Sequence, residues 1–523
     1  MSDKRVLVVG WDGATFDVLE PLLAAGELPN LARLMRRGVR GRLRSVPNMN
    51  SGPAWTSVTT GLNPGKHGVF GLVGLAKDSY RVRPLNAVDR HGTTLWQRLS
   101  LAGKRAVIMN VPLTYPAESV NGLLVAGGDA PSVRSPGFTY PGTLIDELEE
   151  EVGEYILAAR LDGLIRAGKK SEALARLQGM VDSRTQAALY LMEQQSWDLF
   201  FVVFTASDMV QHYYWGDQEG GEYRHAIRDT FRRLDDALGV LLSRAGPQVQ
   251  VLVISDHGFG PTWPGPSYVN RFLSELGLLQ FKVQRDWFSQ ALSWMFLQLE
   301  RHLDLRAKEW LIERLPKLQE RAATSLWLDR IDWSATRAFS LAGSNQIWVN
   351  LRGRYPKGIV APGREYEQVV ARMQRLLCQA VDPSTGEPAV KAVRHRSELY
   401  QGGFVEEAPD LLVEWAERPL LSGLALPDHG EEVVVRQEPA RRRYLFSGSH
   451  REMGILVAAG SAFRKGTELG EVTLLDIAPT LLHLLDQHIP TSLDGQLLRQ
   501  ALAPECLQRY PERYDDESGA PPA

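Results

Sequence analysis

Four short runs in this chain are apolar almost end to end: RVLVVG (5–10), RAVIMNV (105–111), LFFVVF (199–204) and VQVLVIS (249–255). A strand with one face in water alternates apolar and polar residues. A run without alternation must be covered on both faces. Between the runs lie helical stretches such as LPNLARLMRRG (28–38) and AIRDTFRRLDDALGVLLSRAG (226–246), each closed by a glycine. Strands alternating with helices predict an α/β sandwich, a mostly parallel central sheet with helices on both faces. Such sheets take ligands beyond the carboxyl ends of their strands. The residues just after each apolar run are therefore the ones to weigh for chemistry. With 523 residues, 44% of them hydrophobic and 23% charged, the chain can bury a large core and is not a mostly disordered protein.

The 59 Lys plus Arg nearly balance 62 Asp plus Glu, for a formal net charge of −3. That argues against a chain-wide nucleic-acid surface and leaves a small molecule as the expected partner. Two cysteines, Cys378 and Cys506, cannot staple a chain of this length, and no run reaches the roughly 18–20 apolar residues of a membrane helix. The expectation is a cytoplasmic protein with no membrane span. Residues 1–275 and 337–505 read as two parts of one core. The segment 276–336 reads as a helical insertion or cap rich in aromatics (Trp287, Phe288, Trp294, Phe296, Trp310), and 506–523 as a disordered tail. GILVAAG (454–460) and DIAPTLLHLL (476–485) read as the last strand and helix of the core.

Several candidates stand at the ends of these runs, and each has a bland alternative. Asp12 follows the first run, where an acidic side chain can hold a metal, yet Asp-Gly is also a turn. Ser51 opens the helical SGPAWTSVTTG. It is either a plain helix N-cap or a hydroxyl facing free N–H groups, where a phosphate would sit. Asp208 and His212 are four apart after LFFVVF, so on a helix they share one face and could hold one metal ion. Asp256 and His257 follow the fourth run directly. His450 lies just before a strand and alone carries little weight, while His67 reads as structural. The Asp428-His429-Gly430 triplet has no buried strand leading into it and is set aside.

Taken in order, Asp12, Ser51, Asp208, His212, Asp256, His257 and His450 follow a known pattern. With the WDG start, SGPAWTSVTTGLNPGKHG, SDMVQH, SDHG, SGSH and the closing LLDIAPTLLHLL, the chain resembles the type I phosphodiesterase/nucleotide pyrophosphatase family of the alkaline phosphatase superfamily. The resemblance implies an alkaline-phosphatase-like fold and a hydrolase of phosphodiester or pyrophosphate bonds. It implies two divalent metal ions, zinc first, with manganese or iron as alternatives on similar ligands. One ion would be held by Asp208, His212 and His450. The other would be held by Asp12, Asp256, His257 and the oxygen of Ser51, the nucleophile of a phosphoseryl-type intermediate. Family members that hydrolyse nucleotides carry an asparagine near the position of Leu72, so the group that would steady a phosphate oxygen is not identified here.

Other readings on the same fold are a phosphomonoesterase, a phosphonate hydrolase or a phosphomutase. A sulfatase would need an arginine where Trp55 stands, and a cofactor-independent mutase would need a larger insertion than residues 75–195 provide. A non-catalytic metal-binding protein is the alternative of a different class.

Overall fold

A computed structural model describes residues 5–76, 78–263, 265–282, 328–341, 344–417, 421–426, 433–436 and 446–516. The chain divides into two compact units. The first comprises Met1–Leu72, Leu85–Thr262 and Arg443–Ala523, and the second Val73–Pro84 and Trp263–Arg442.

The first unit is built on a nine-stranded sheet. Its strands are β1 (Val6–Trp11), β2 (Gly38–Arg44), β3 (Ala106–Met109), β4 (Gly122–Val125), β5 (Thr139–Tyr140), β6 (Leu199–Phe204) and β7 (Gln250–Ile254), with two more from the C-terminal part of the chain. A short antiparallel pair, β8 (Gly258–Pro261) and β9 (Gly448–Arg451), leads into those two, β10 (Met453–Ala459) and β11 (Thr467–Thr473). The order across the sheet is β11-β2-β10-β7-β1-β6-β3-β4-β5. The centre, β7-β1-β6-β3-β4, is parallel throughout. All four apolar runs of the sequence fall in it, and every residue of β1, β3, β6 and β7 is buried. Burying one Val, Leu, Ile or Phe contributes about 1.5–3 kcal/mol, so these strands are a large part of what holds the unit together. The helices over the sheet include α1 (Ser51–Thr60), α2 (Lys170–Gln194), α3 (Ala206–Tyr214) and α4 (Ala226–Ala245).

GILVAAG does enter the main sheet, but as β10 it runs antiparallel to both neighbours, and it is not the last strand. β11 follows it at the edge. Its sequence TELGEVT is polar enough to face water, which is why no apolar run marks it. The tail is ordered further than its composition suggests. Pro504–Arg509 is a helix, and Tyr514–Asp515 pairs with Ile489–Pro490. Arg499 meets Glu512 and Arg513 meets Asp486, which pins the segment through residue 516.

The second unit has a different architecture. A four-stranded antiparallel sheet runs in the order Ala338–Phe339, Gln346–Val349, Leu411–Trp415, Val390–His395, and the helix Arg364–Cys378 packs on the last of these. Residues 337–442 therefore do not return to the first sheet, as one continuous core over 337–505 would require; only the chain from 443 onward does. The strand VKAVRH has exposed and half-buried residues between buried Val390 and Val393, the habit of a sheet wet on one face. Trp287, Phe288, Trp294, Phe296 and Trp310 of the expected cap, like Asp428-His429-Gly430, lie outside the described residues.

Candidate active site

Each candidate residue sits just past the carboxyl end of a central strand or on an element that reaches there. Asp12 follows β1, and its N–H donates to the Phe204 carbonyl at the end of β6 (3.1 Å). Asp208 and His212 lie one turn apart on α3, which begins two residues after β6. Asp256 and His257 fill the turn from β7 into β8, and His450 lies in β9, where it pairs with Phe259. Asp12, Asp256 and His257 are buried at 2%, 0% and 0% exposure.

Ser51 is the first residue of α1. The chain enters that helix through two residues in the left-handed region, Asn48 (φ 77°) and Met49 (φ 45°), a conformation that needs support from its surroundings. The support is visible. The Asn48 side-chain amide donates to the Phe70 carbonyl (3.1 Å), and the Met49 carbonyl accepts from Nδ1 of His450 (2.7 Å). The N-cap is Asn50, whose side-chain oxygen accepts from the Gly52 N–H at 3.2 Å. Ser51 is therefore not the cap, and its Oγ turns to Nε2 of His257 (3.2 Å) and Oδ1 of Asp12 (3.3 Å).

The three imidazoles share one arrangement. His212 Nδ1 lies 3.0 Å from the Gly448 carbonyl, His257 Nδ1 3.0 Å from the Gly258 carbonyl, and His450 Nδ1 2.7 Å from that of Met49. A carbonyl only accepts, so each Nδ1 carries a proton, and in the neutral ring Nε2 presents a lone pair inward. Those inward atoms are close together. Nε2 of His212 and of His450 are 3.0 Å apart, and they lie 3.4 and 3.2 Å from Oδ1 of Asp208. His257 Nε2 is 3.6 Å from Oδ1 of Asp12, 3.4 Å from Oδ2 of Asp256 and 4.0 Å from Oδ1 of Asp208. With all three rings neutral, these lone pairs and carboxylates would repel one another unless a proton or a cation lay among them.

Two glycines make the approach possible. A Cβ on Gly10 would meet the Trp55 ring at 2.6 Å, and one on Gly448 would meet the Gln211 carbonyl at 2.3 Å. Trp55 packs over β1 on that bare backbone, and its Nε1–H donates to Oδ2 of Asp12 (3.1 Å).

The charges are held unevenly. Burial, then the charges of Asp256 and Asp208, push the Asp12 carboxyl well above its ordinary range. Burial and Asp208 push Asp256 up to about 7. Burial pushes Asp208 upward too, but His212 and His450 outweigh it and hold that carboxyl well below the usual value. Burial, with the charge of His450 next, holds His257 well below an ordinary histidine. Burial lowers His212, but the Asp208 carboxylate outweighs it and the net shift is upward. The upward shifts of Asp12 and Asp256 mark the part of the cluster where buried carboxylates lack a neighbouring cation.

The residues fit the metals that the resemblance implies. Oδ1 of Asp208 and Oδ2 of Asp256 are buried without a hydrogen-bond partner. Asp12, Asp256 and His257 form one compact ligand group and Asp208, His257 and His450 another, the ligand atoms within 4.8 Å of one another in each. His212 joins the second through its 3.0 and 3.4 Å contacts. A set of carboxylate and imidazole donors without thiolate suits a catalytic site for zinc, manganese or iron.

Residues 6–421 match the type I phosphodiesterase/nucleotide pyrophosphatase family. The chain belongs to that family. It is thus a phosphoric-ester hydrolase by family, on the alkaline-phosphatase-like α/β fold. Human ectonucleotide pyrophosphatase/phosphodiesterase 5 shares the fold, with a TM-score of 0.50 and 13% identity over 95% of this chain and 99% of its own. A murine form described as inactive and in complex with AMP matches with a TM-score of 0.50 and 13% identity over 95% and 100%. Phosphonoacetate hydrolase from Sinorhizobium meliloti, in complex with phosphonoformate, matches with a TM-score of 0.53 and 15% identity over 92% and 95%. No curated protein matches by sequence.

Three neighbours of the site escaped the sequence reading. Trp55 stands four residues after Ser51, so a shared helical face with the candidate serine was its available signal. Asn50 was masked by the serine beside it. The ring of Phe446 lies 4.6 Å from that of His212, and nothing in the sequence marks it. His67 is structural, as expected: it is fully buried, with Nε2 at 2.9 Å from Ser57 Oγ and Nδ1 accepting from the Val69 N–H. Burial and Arg90 lower it to about 3, which keeps it neutral.

Trp55 gives a first prediction. Trp55→Phe keeps most of the packing and deletes the one N–H aimed at Asp12. Loss of a group that orients a metal ligand typically lowers metal affinity about 10–100-fold. Zinc titration of the variant should show that drop with the fold intact by circular dichroism. Unchanged affinity would mean that Asp12 needs no such support.

Proposed function

We propose that this protein hydrolyses phosphodiester or pyrophosphate bonds, with Ser51 as nucleophile and with Asp12, Asp208, His212, Asp256, His257 and His450 holding two divalent metal ions. One observation carries the reading: three imidazoles fixed by backbone carbonyls turn their Nε2 atoms toward unpaired carboxylate oxygens, with Ser51 Oγ at the edge of the same cluster. When bound, the metals would make the serine hydroxyl acidic at neutral pH and stabilise charge on the departing oxygen. Ser51 Oγ attacks phosphorus, the bond to the leaving alcohol or phosphate breaks, and that group departs with the proton the hydroxyl lost. Water then attacks the phosphoserine ester, releasing the product and restoring the hydroxyl. The positive end of the α1 dipole lies beside Ser51 and would favour negative charge there.

Diesters are the expected class. A monoester dianion calls for an extra cation, and among the described residues Arg451 and Arg184 turn guanidinium N–H groups to backbone carbonyls. Arg451, beside His450, donates to the carbonyls of Ser449, His450 and Pro261 at 3.2, 2.9 and 2.5 Å. Arg184, buried behind β6, donates to the carbonyls of Val203 (2.8 Å) and Leu157 (3.1 Å). Metal-loaded protein should cleave aryl phosphodiesters with a higher kcat/KM than the matching monoesters. A parallel screen of phosphonates and sulfates tests the other activities known on this fold. A monoester-to-diester ratio well above one would reject the diester assignment. Cys378 and Cys506 form no disulfide, which fits a reducing compartment, and among the described residues no helix is long and apolar enough to cross a membrane.

A further inference from the structure

The second unit holds a cleft of about 450 Å³ between the helix Arg364–Cys378 and the residues around Arg396. That volume lies within the range of small-molecule sites. Its apolar wall is formed by Leu351, Pro362, Val370 and Ala371, its polar end by His395, Arg396 and Glu406, and Glu367 and Gln374 line it from the helix.

The polar end rests on a buried charge network. Asp410 is fully buried, and its Oδ1 accepts from Arg354 (2.9 Å) and from the Tyr366 hydroxyl (2.8 Å). The Arg396 guanidinium is the second cation on that carboxylate, at 3.4 Å. Two guanidiniums thus share one buried carboxylate, and the excess positive charge lies at Arg396. Arg396 is itself 5% exposed yet lines the cleft. What meets it there is the carboxylate of Glu406, whose side chain is 80% exposed. Arg396 is also held in place from behind, by the Glu406 carbonyl (2.8 Å) and by the Tyr366 ring at 5.7 Å.

A buried, oriented guanidinium is a strong carboxylate or phosphate receptor. Glu406 reaches it from a side chain that is 80% exposed, so water competes for that carboxylate and an incoming anion can displace it. We infer that this cleft binds a small organic anion, a carboxylate or phosphate with an apolar body, whose anionic group displaces Glu406 from Arg396 while its body lies against Val370 and Ala371.

The test is calorimetric titration of the full chain, stripped with chelator so that the metal cluster offers no phosphate site. Inorganic phosphate and hexanoate serve as the two probes. Glu406→Gln removes the internal competitor, so it should tighten binding by up to about fivefold. A purely structural ion pair predicts the same or weaker binding. Ala371→Trp, at an exposed helical position, should block the apolar wall and abolish the heat of binding without touching the charge network. Binding of phosphate alone would assign a phosphate group, and stronger binding of hexanoate would assign a carboxylate with an apolar tail. Either supports the site. No binding of either probe to Glu406→Gln at millimolar concentration, equal affinity of wild type and Glu406→Gln, or undiminished binding by Ala371→Trp would overturn it.

Discussion

Ser51→Ala is expected to lower turnover of a good phosphodiester by about 10⁴-fold or more, the scale on which covalent catalysts lose rate when the nucleophile is removed. The fold and the metal content should be unchanged. That separation of effects follows from the helix start. Asn50, not Ser51, caps α1, so alanine at position 51 leaves the bond from the Gly52 N–H in place. Alanine is also a good helix former, and stability should move by less than about 1 kcal/mol. What the variant loses is the oxygen 3.2 Å from His257 and 3.3 Å from Asp12. Ser51→Thr restores an oxygen with one methyl more and should keep a measurable part of the rate. Steady-state kinetics, elemental analysis and a thermal melt on the three proteins decide the matter. Wild-type turnover from Ser51→Ala with full metal content would replace the covalent route by direct attack of water.

The same local facts show what was legible in the sequence. The central sheet was, because strands covered on both faces leave nothing to alternate: RVLVVG and LFFVVF can hardly be anything else, and they became β1 and β6, adjacent and in register from Val6 with Leu199. The candidate residues were legible for a related reason. A parallel sheet gathers its strand ends, so polar residues after separate apolar runs are brought together however far apart they lie in the chain. His450 is the instructive case. It follows no apolar run, and only its order among the other motifs marked it. In the structure β9 brings it alongside β8, where it is the partner of Phe259. The second unit was less legible. Its strands are short, and a sequence gives no direct sign of which sheet a short strand joins. Asn48 and Met49 were invisible for a different reason: nothing in their identity says that they take a left-handed conformation, which the Phe70 carbonyl and His450 support from outside.

Chelation should abolish activity and also lower the melting temperature, with both restored by zinc or a replacement divalent ion. The second effect distinguishes ions held within the fold from ions that merely accompany a substrate. Burial first, and then neighbouring negative charge, shifts Asp12 and Asp256 upward, so without a cation the cluster stores an unfavourable charge. Oδ1 of Asp208 and Oδ2 of Asp256 lie buried without a hydrogen-bond partner, and three imidazoles direct their Nε2 atoms at the same space. A cation that binds only the folded state adds stability as RT ln(1 + [L]/Kd), about 4 kcal/mol at a thousandfold excess over Kd. The melting curve of the stripped protein should therefore lie several degrees below that of the loaded one, and the gap should grow with the logarithm of free zinc. Asp208→Asn is the informative control. It keeps the shape but removes the charge that both His212 and His450 face, so the zinc-dependent gap should shrink along with turnover. A gap that stayed the same in Asp208→Asn, or a stripped protein that melted with the loaded one, would remove the metal centre from this cluster and with it the basis for activating Ser51.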